Sequence, residues 1–78
     1  MSQDRIENRY RGILLPYLRE VRRSKGLSQR ELGELARVSS GTVYRVETGR
    51  RGAYAGTVRK LATALGVVPE ELVHGKRT

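Results

Sequence analysis

The chain has no cysteine, no tryptophan and no phenylalanine, and a single histidine and two prolines in 78 residues. Without cysteine, zinc fingers, disulfide frameworks and thiol catalysis are excluded together. The lone histidine, His74, sits near the C-terminal end, where it makes neither a triad nor a metal site. Four tyrosines are the whole aromatic content, and RNA readers usually need more stacking faces than that. No apolar run approaches membrane-spanning length, and the first residues carry Asp4 and Glu7 instead of the apolar stretch of a secretory signal. A cytoplasmic protein is expected. Acid is scarce as well: eight Asp and Glu stand against sixteen Lys and Arg, for a net charge of +8. So large an excess on so small a body favours a polyanionic partner. Thirteen of the sixteen cations are arginine, the better bidentate donor to phosphate and guanine.

What is present is periodic. From Gln29 to Glu47 the sequence reads QRELGELARVSSGTVYRVE, with apolar or small residues at Leu32, Gly33, Ala36, Val38, Val43 and Val46. That spacing predicts two short helices joined by a tight turn, each with one narrow inward stripe. Arg30, Glu34, Ser40, Thr42, Tyr44 and Arg45 are left for outward or edge positions. Glycine inside a helix costs about 1 kcal/mol against alanine, so Gly33 implies a close approach by the second helix. Ser28 with Glu31 three residues later forms a capping box that fixes the first of these helices at about 29–36. Ser39 caps the second, over about Ser40 to Thr48, closed by Gly49.

Around this pair the chain supplies further short helices. One is expected from about Leu15 to Lys25, with Pro16 in its first turn, Leu14, Leu18 and Val21 inward, Leu27 closing the stripe, and Gly26 ending it. Another runs from Gly56 or Thr57 to Leu65, burying Val58, Leu61, Ala62 and Leu65, with Val67 and Val68 packed beneath it. Pro69 opens a short last helix whose Glu70 and Glu71 suit the positive dipole end and whose Leu72 returns to the core. The fold class is therefore all-α, a bundle of five short helices in one domain, residues 13–74. Residues 1–12 read as a polar tail or short extra helix; a basic arm built on Arg5, Arg9 and Arg11 is the other reading. Residues 75–78 read as a tail. Glu70 and Glu71 are adjacent and diverge on a helix, and the glycines do not form a phosphate-cradling loop, so no enzyme, cofactor or metal is expected.

The 29–47 stretch resembles the helix-turn-helix of the Cro/phage-repressor (XRE) family of DNA-binding domains, and the run ATALGVVPEELV is similar to the family's closing segment, so the match covers roughly Leu14 to Val73. The resemblance implies a lambda-repressor-like domain and a sequence-specific regulator of transcription, a repressor in mode, that sets its third helix in the major groove of double-stranded DNA. By position in that family, Ser40, Gly41, Tyr44 and Arg45 face base edges. Gln29, Thr42, Arg50 and Arg51 are phosphate contacts, with Gln29 alternatively bracing a base-reading side chain. Arg22 pairs with Glu47 as a structural ion pair. The chain departs from the pattern at Arg37, where the family carries glycine in a left-handed turn. It departs again in the loop 49–56, whose missing proline and leucine near Ala53 and Ala55 predict a soft connection. A homodimer on a palindromic site is expected by analogy. The other readings are a protein-binding adaptor or antitoxin component on the same fold, expected to carry a contiguous exposed apolar patch, and nonspecific nucleic-acid binding.

Overall fold

A computed structural model describes residues 12–76. Arg5, Arg9 and Arg11, and the two readings of the N-terminal segment, lie outside the described residues. Five helices follow in order: α1 Leu18–Ser24, α2 Gln29–Ala36, α3 Ser40–Glu47, α4 Ala55–Leu65 and α5 Pro69–His74. No strand forms among the described residues apart from one isolated antiparallel bridge between Ile13 and Ala53.

The core is aliphatic. Leu15, Leu18, Leu32, Val43, Leu61 and Leu72 are each at most 1% exposed, and Ala36, Val46, Val58, Ala62 and Leu65 close around them. All five helices contribute, so each short helix is held by packing that it could not supply alone. α2 and α3 pack most intimately. A methyl group added at Gly33 would stand 2.7 Å from the Val38 carbonyl oxygen and 3.3 Å from the Ser40 nitrogen. The reason for glycine is thus the backbone of the turn and of the first residue of α3.

The caps explain the boundaries of the pair. The Ser28 hydroxyl accepts from the Glu31 amide at 2.9 Å, while the Glu31 carboxylate accepts from the Ser28 amide at 2.8 Å. The Ser39 hydroxyl accepts from the Thr42 amide at 3.0 Å. Between them Arg37 adopts the left-handed conformation, φ 62° and ψ 43°, which costs a residue with a Cβ about 1–2 kcal/mol. Its amide reaches back to the α2 carbonyls and completes the C-cap. Arg37→Gly should therefore raise the unfolding free energy, by up to about 1 kcal/mol once the extra freedom of glycine in the unfolded chain is subtracted. A urea titration showing lower stability for that variant would contradict the backbone assignment.

Three expectations need correction. The first helix starts at Leu18, three residues late, because residues 13–17 enter through an extended stretch and a turn. In consequence Leu15 is buried and Leu14 is exposed, the reverse of the helical stripe. Val68 is also exposed, since it serves as the N-cap of α5 instead of packing below α4. The loop after α3 is pinned. Ile13 and Ala53 exchange both backbone hydrogen bonds, at 2.7 and 2.8 Å, and Ala53 is buried. Gly12 makes this bridge possible: its φ is +91°, and a Cβ there would meet the Gly52 and Ala53 backbone within 2.9 Å.

Candidate nucleic-acid interface

The outward face of α3 follows from what its inward face does. Val43 and Val46 are buried, so a helix of 3.6 residues per turn must turn Ser40, Tyr44 and Arg45 to the surface, and all three are exposed. Gly41 and Thr42 are half-buried at the first turn. The amides of Ser40 and Gly41 belong to the opening turn, which has no intrahelical acceptors for them, and they carry the positive end of the helix dipole. The Thr42 hydroxyl lies 2.9 Å from the Ser39 hydroxyl; when it accepts there, its own proton remains free to donate outward.

Behind this face one carboxylate ties three helices together. Glu47, at the end of α3, has a side chain with no exposure at all. It accepts from the Arg22 Nε, from Arg22 Nη2 at 3.0 Å, from the Gln29 amide nitrogen at 3.1 Å and from Arg19 Nε at 3.4 Å. Arg22, itself 7% exposed, also donates from Nη1 to the Leu27 carbonyl oxygen at 2.7 Å. Every buried side-chain nitrogen and oxygen among the described residues has a partner. Burial alone would push the Glu47 carboxyl up. The hydrogen bonds from Arg22 and Gln29, the Arg22 charge and the Arg19 contact outweigh it, and the carboxyl titrates below its ordinary range. The hydrogen bond to Glu47 in turn raises the Arg22 guanidinium against the opposing effect of burial.

Gln29 therefore occupies a junction. One amide proton goes to Glu47, and the second is available to a ligand lying across the start of α2. Arg19 and this use of Gln29 are not visible in the sequence, because they join residues 28 and 18 positions from Glu47. Beyond α3, the Thr48 hydroxyl donates to the Tyr44 carbonyl at 2.9 Å and the Arg50 amide to the Arg45 carbonyl at 3.0 Å. These bonds wrap the loop against the end of the helix and leave Arg50 and Arg51 exposed. Among the described residues there is no cluster of His, Asp or Glu able to hold a metal, and no helix is long and apolar enough to cross a membrane.

The model of the family described as "Helix-turn-helix domain" matches residues 14–74. The chain belongs to that family, in its Cro/phage-repressor branch, whose members are DNA-binding domains of transcriptional regulators and not enzymes. An HTH-type transcriptional regulator of Bacillus subtilis (strain 168), RghRB, is 39% identical over 57 residues, which is 72% of this chain and 41% of the relative. The chain thus spans about two fifths of the length of that curated relative. Among solved structures, the restriction-modification controller protein C.AhdI from Aeromonas hydrophila is similar, with 45% identity, a TM-score of 0.69, and coverage of 70% of this chain and 83% of the controller. The clp gene regulator ClgR from C. glutamicum superposes with a TM-score of 0.70 at 34% identity, covering 80% of each chain.

Proposed function

We propose that this chain is a sequence-specific regulator of transcription, acting as a repressor, that inserts α3 into the major groove of double-stranded DNA. The observation that carries the reading is the exposure of Ser40, Tyr44 and Arg45 on one side of α3 while Val43 and Val46 lock its other side into the core. An α-helix fits the major groove, and an arginine there can grip the O6 and N7 of guanine with two hydrogen bonds. Arg50 and Arg51 then lie on the loop that leaves the helix and serve the sugar-phosphate wall. Thr42 and Gln29 add a phosphate contact each, through the donors left free by Ser39 and Glu47.

One such domain covers only about half a turn of duplex, so useful affinity calls for a homodimer on a palindrome with half-site centres about 34 Å apart. Work on DNA of this kind places the protein in the cytoplasm of a prokaryotic or phage-infected cell, at the nucleoid. The resemblance to a restriction-modification controller and to a gene regulator supports a regulator with an operator of its own.

The adaptor reading has one feature in its favour. An open cleft of about 440 Å³ between α2 and α4 has an apolar floor of Leu35, Ala36 and Ala64, and Leu35 is 59% exposed. Its rim carries Arg37, Arg59 and Lys60, so the patch is interrupted by charge and falls short of the contiguous apolar surface that a protein-binding role predicts.

The variants separate the roles. In anisotropy titrations over a salt series, Arg50→Ala and Arg51→Ala should weaken binding evenly on all sequences and lower the log–log salt slope by about 0.9 each. Arg45→Ala should instead blunt the preference at one base pair, at a cost of about 1–3 kcal/mol. Equal losses on every duplex for all three variants would remove Arg45 from base reading.

A further inference from the structure

Gly41 is the one position on the outer face of α3 without a side chain to present, yet the space it leaves is filled. A methyl group built there would lie 3.3 Å from one terminal nitrogen of the Arg45 guanidinium and 3.8 Å from the other, with the Ser39 hydroxyl also at 3.8 Å. Arg45 does not project straight out from its own place on the helix. It runs back over one turn, in the direction in which helical side chains lean, and lays its guanidinium on the bare backbone of Gly41. Among the described residues nothing else holds it there: Thr48 and Arg50 bond the backbone carbonyl of Arg45, and no acceptor takes a hydrogen bond from the guanidinium. Its donors are accordingly free for a ligand.

We infer that Gly41 is a positioning residue for base recognition, a slot that seats the Arg45 guanidinium at the N-terminal end of α3 so that Arg45 reads the base pair position 41 would otherwise face. The inference rests on the DNA-reading role proposed above and gives it a register. Four residues of helix rise about 6 Å, so seating over Gly41 moves the guanine contact by up to that distance from the level of the Arg45 backbone toward the N-terminal end of α3. It also brings a cation beside the free amides of the first turn, which concentrates positive potential at one end of the helix. Any side chain at 41 crowds the slot, since even a methyl group lies 3.3 Å from a guanidinium nitrogen. Because the crowded atoms are the far end of a flexible arginine, an alanine there shifts the guanidinium by a few tenths of an ångström off its seat without disturbing the fold.

The test uses the full chain and measures binding to a set of duplexes carrying each of the four base pairs at every position of a site selected by the wild-type protein. Gly41→Ala should keep or raise the thermal midpoint, since alanine is the better helix former, while the discrimination for guanine at the Arg45 position falls by on the order of tenfold. In an Arg45→Ala background the same Gly41→Ala change should have no further effect on that base pair. If Arg45→Ala abolishes the guanine preference while Gly41→Ala leaves its position and strength intact, the slot is wrong and the reading role of Arg45 stands. If neither variant alters preference at any base pair, Arg45 does not read DNA and the inference falls with it.

Discussion

Glu47→Ala is expected to lower the unfolding free energy by about 3–5 kcal/mol, the cost of leaving a buried partner charge without its counter-ion. The variant would strand Arg22, 7% exposed, with only the Leu27 carbonyl among the described residues to accept from it, and would free Arg19 and Gln29 at once. Small domains possess about 5–15 kcal/mol in all, so an urea midpoint shifted far down, or a partly unfolded protein at room temperature, is the predicted reading. A shift of a few tenths of a kcal/mol would mean that the cluster is a surface pair in effect. The same carboxylate sets an acid limit. Its folded pKa lies below its unfolded value near 4.3, so its stabilisation is fully present above that value and is lost as the pH falls through the depressed one. Wild-type stability should drop steeply below about pH 4, and Glu47→Gln should flatten that part of the curve.

Gly33→Ala is expected to destabilise by about 2–3 kcal/mol, through overpacking against groups that cannot move aside. Elsewhere in a helix this exchange gains about 1 kcal/mol. Here the added methyl would sit 2.7 Å from a carbonyl oxygen of the turn and 3.3 Å from the first nitrogen of α3. Either the turn shifts or α2 does. Gly56→Ala is the matched control, in the first turn of α4 with nothing within 4 Å of the new carbon; it should be neutral or stabilising. Because the turn also aims α3, Gly33→Ala should weaken operator binding more than its loss of stability accounts for. A Gly33→Ala protein as stable as the control would show that the close approach is not part of the folded structure.

Much of the architecture was legible because it is local. Ser28 and Glu31, Ser39, and the apolar spacing from Leu32 to Val46 define two helices and their inward faces without reference to anything distant. The outer residues of α3 then follow by elimination, although their assignment to bases or phosphates comes from the resemblance to a family. The Leu14 and Leu15 exchange shows where periodicity fails. Periodicity extends a helical stripe backwards through Pro16, while the chain is held extended by a bridge from Ile13 to Ala53, forty residues away, which leaves no trace near Leu14. The same bridge explains why a loop rich in glycine is nevertheless pinned. Side-chain partners were the least legible. The Arg22–Glu47 pair follows from the resemblance to the family, but Arg19 and Gln29 look like two more polar residues on helix surfaces until folding gathers them on the same carboxylate, and the lean of Arg45 over Gly41 is a rotamer that spacing permits and does not dictate.

Whether α3 reads DNA sequence is tested most directly by selecting bound sites from a randomised duplex pool at about 0.15 M salt, where nonspecific phosphate contacts are already weakened. If α3 reads sequence, the pool yields a palindrome with half-site centres one helical turn, about 34 Å, apart, and with a guanine whose selection disappears for Arg45→Ala. Recovery of no motif, with binding surviving only at low salt, would contradict it.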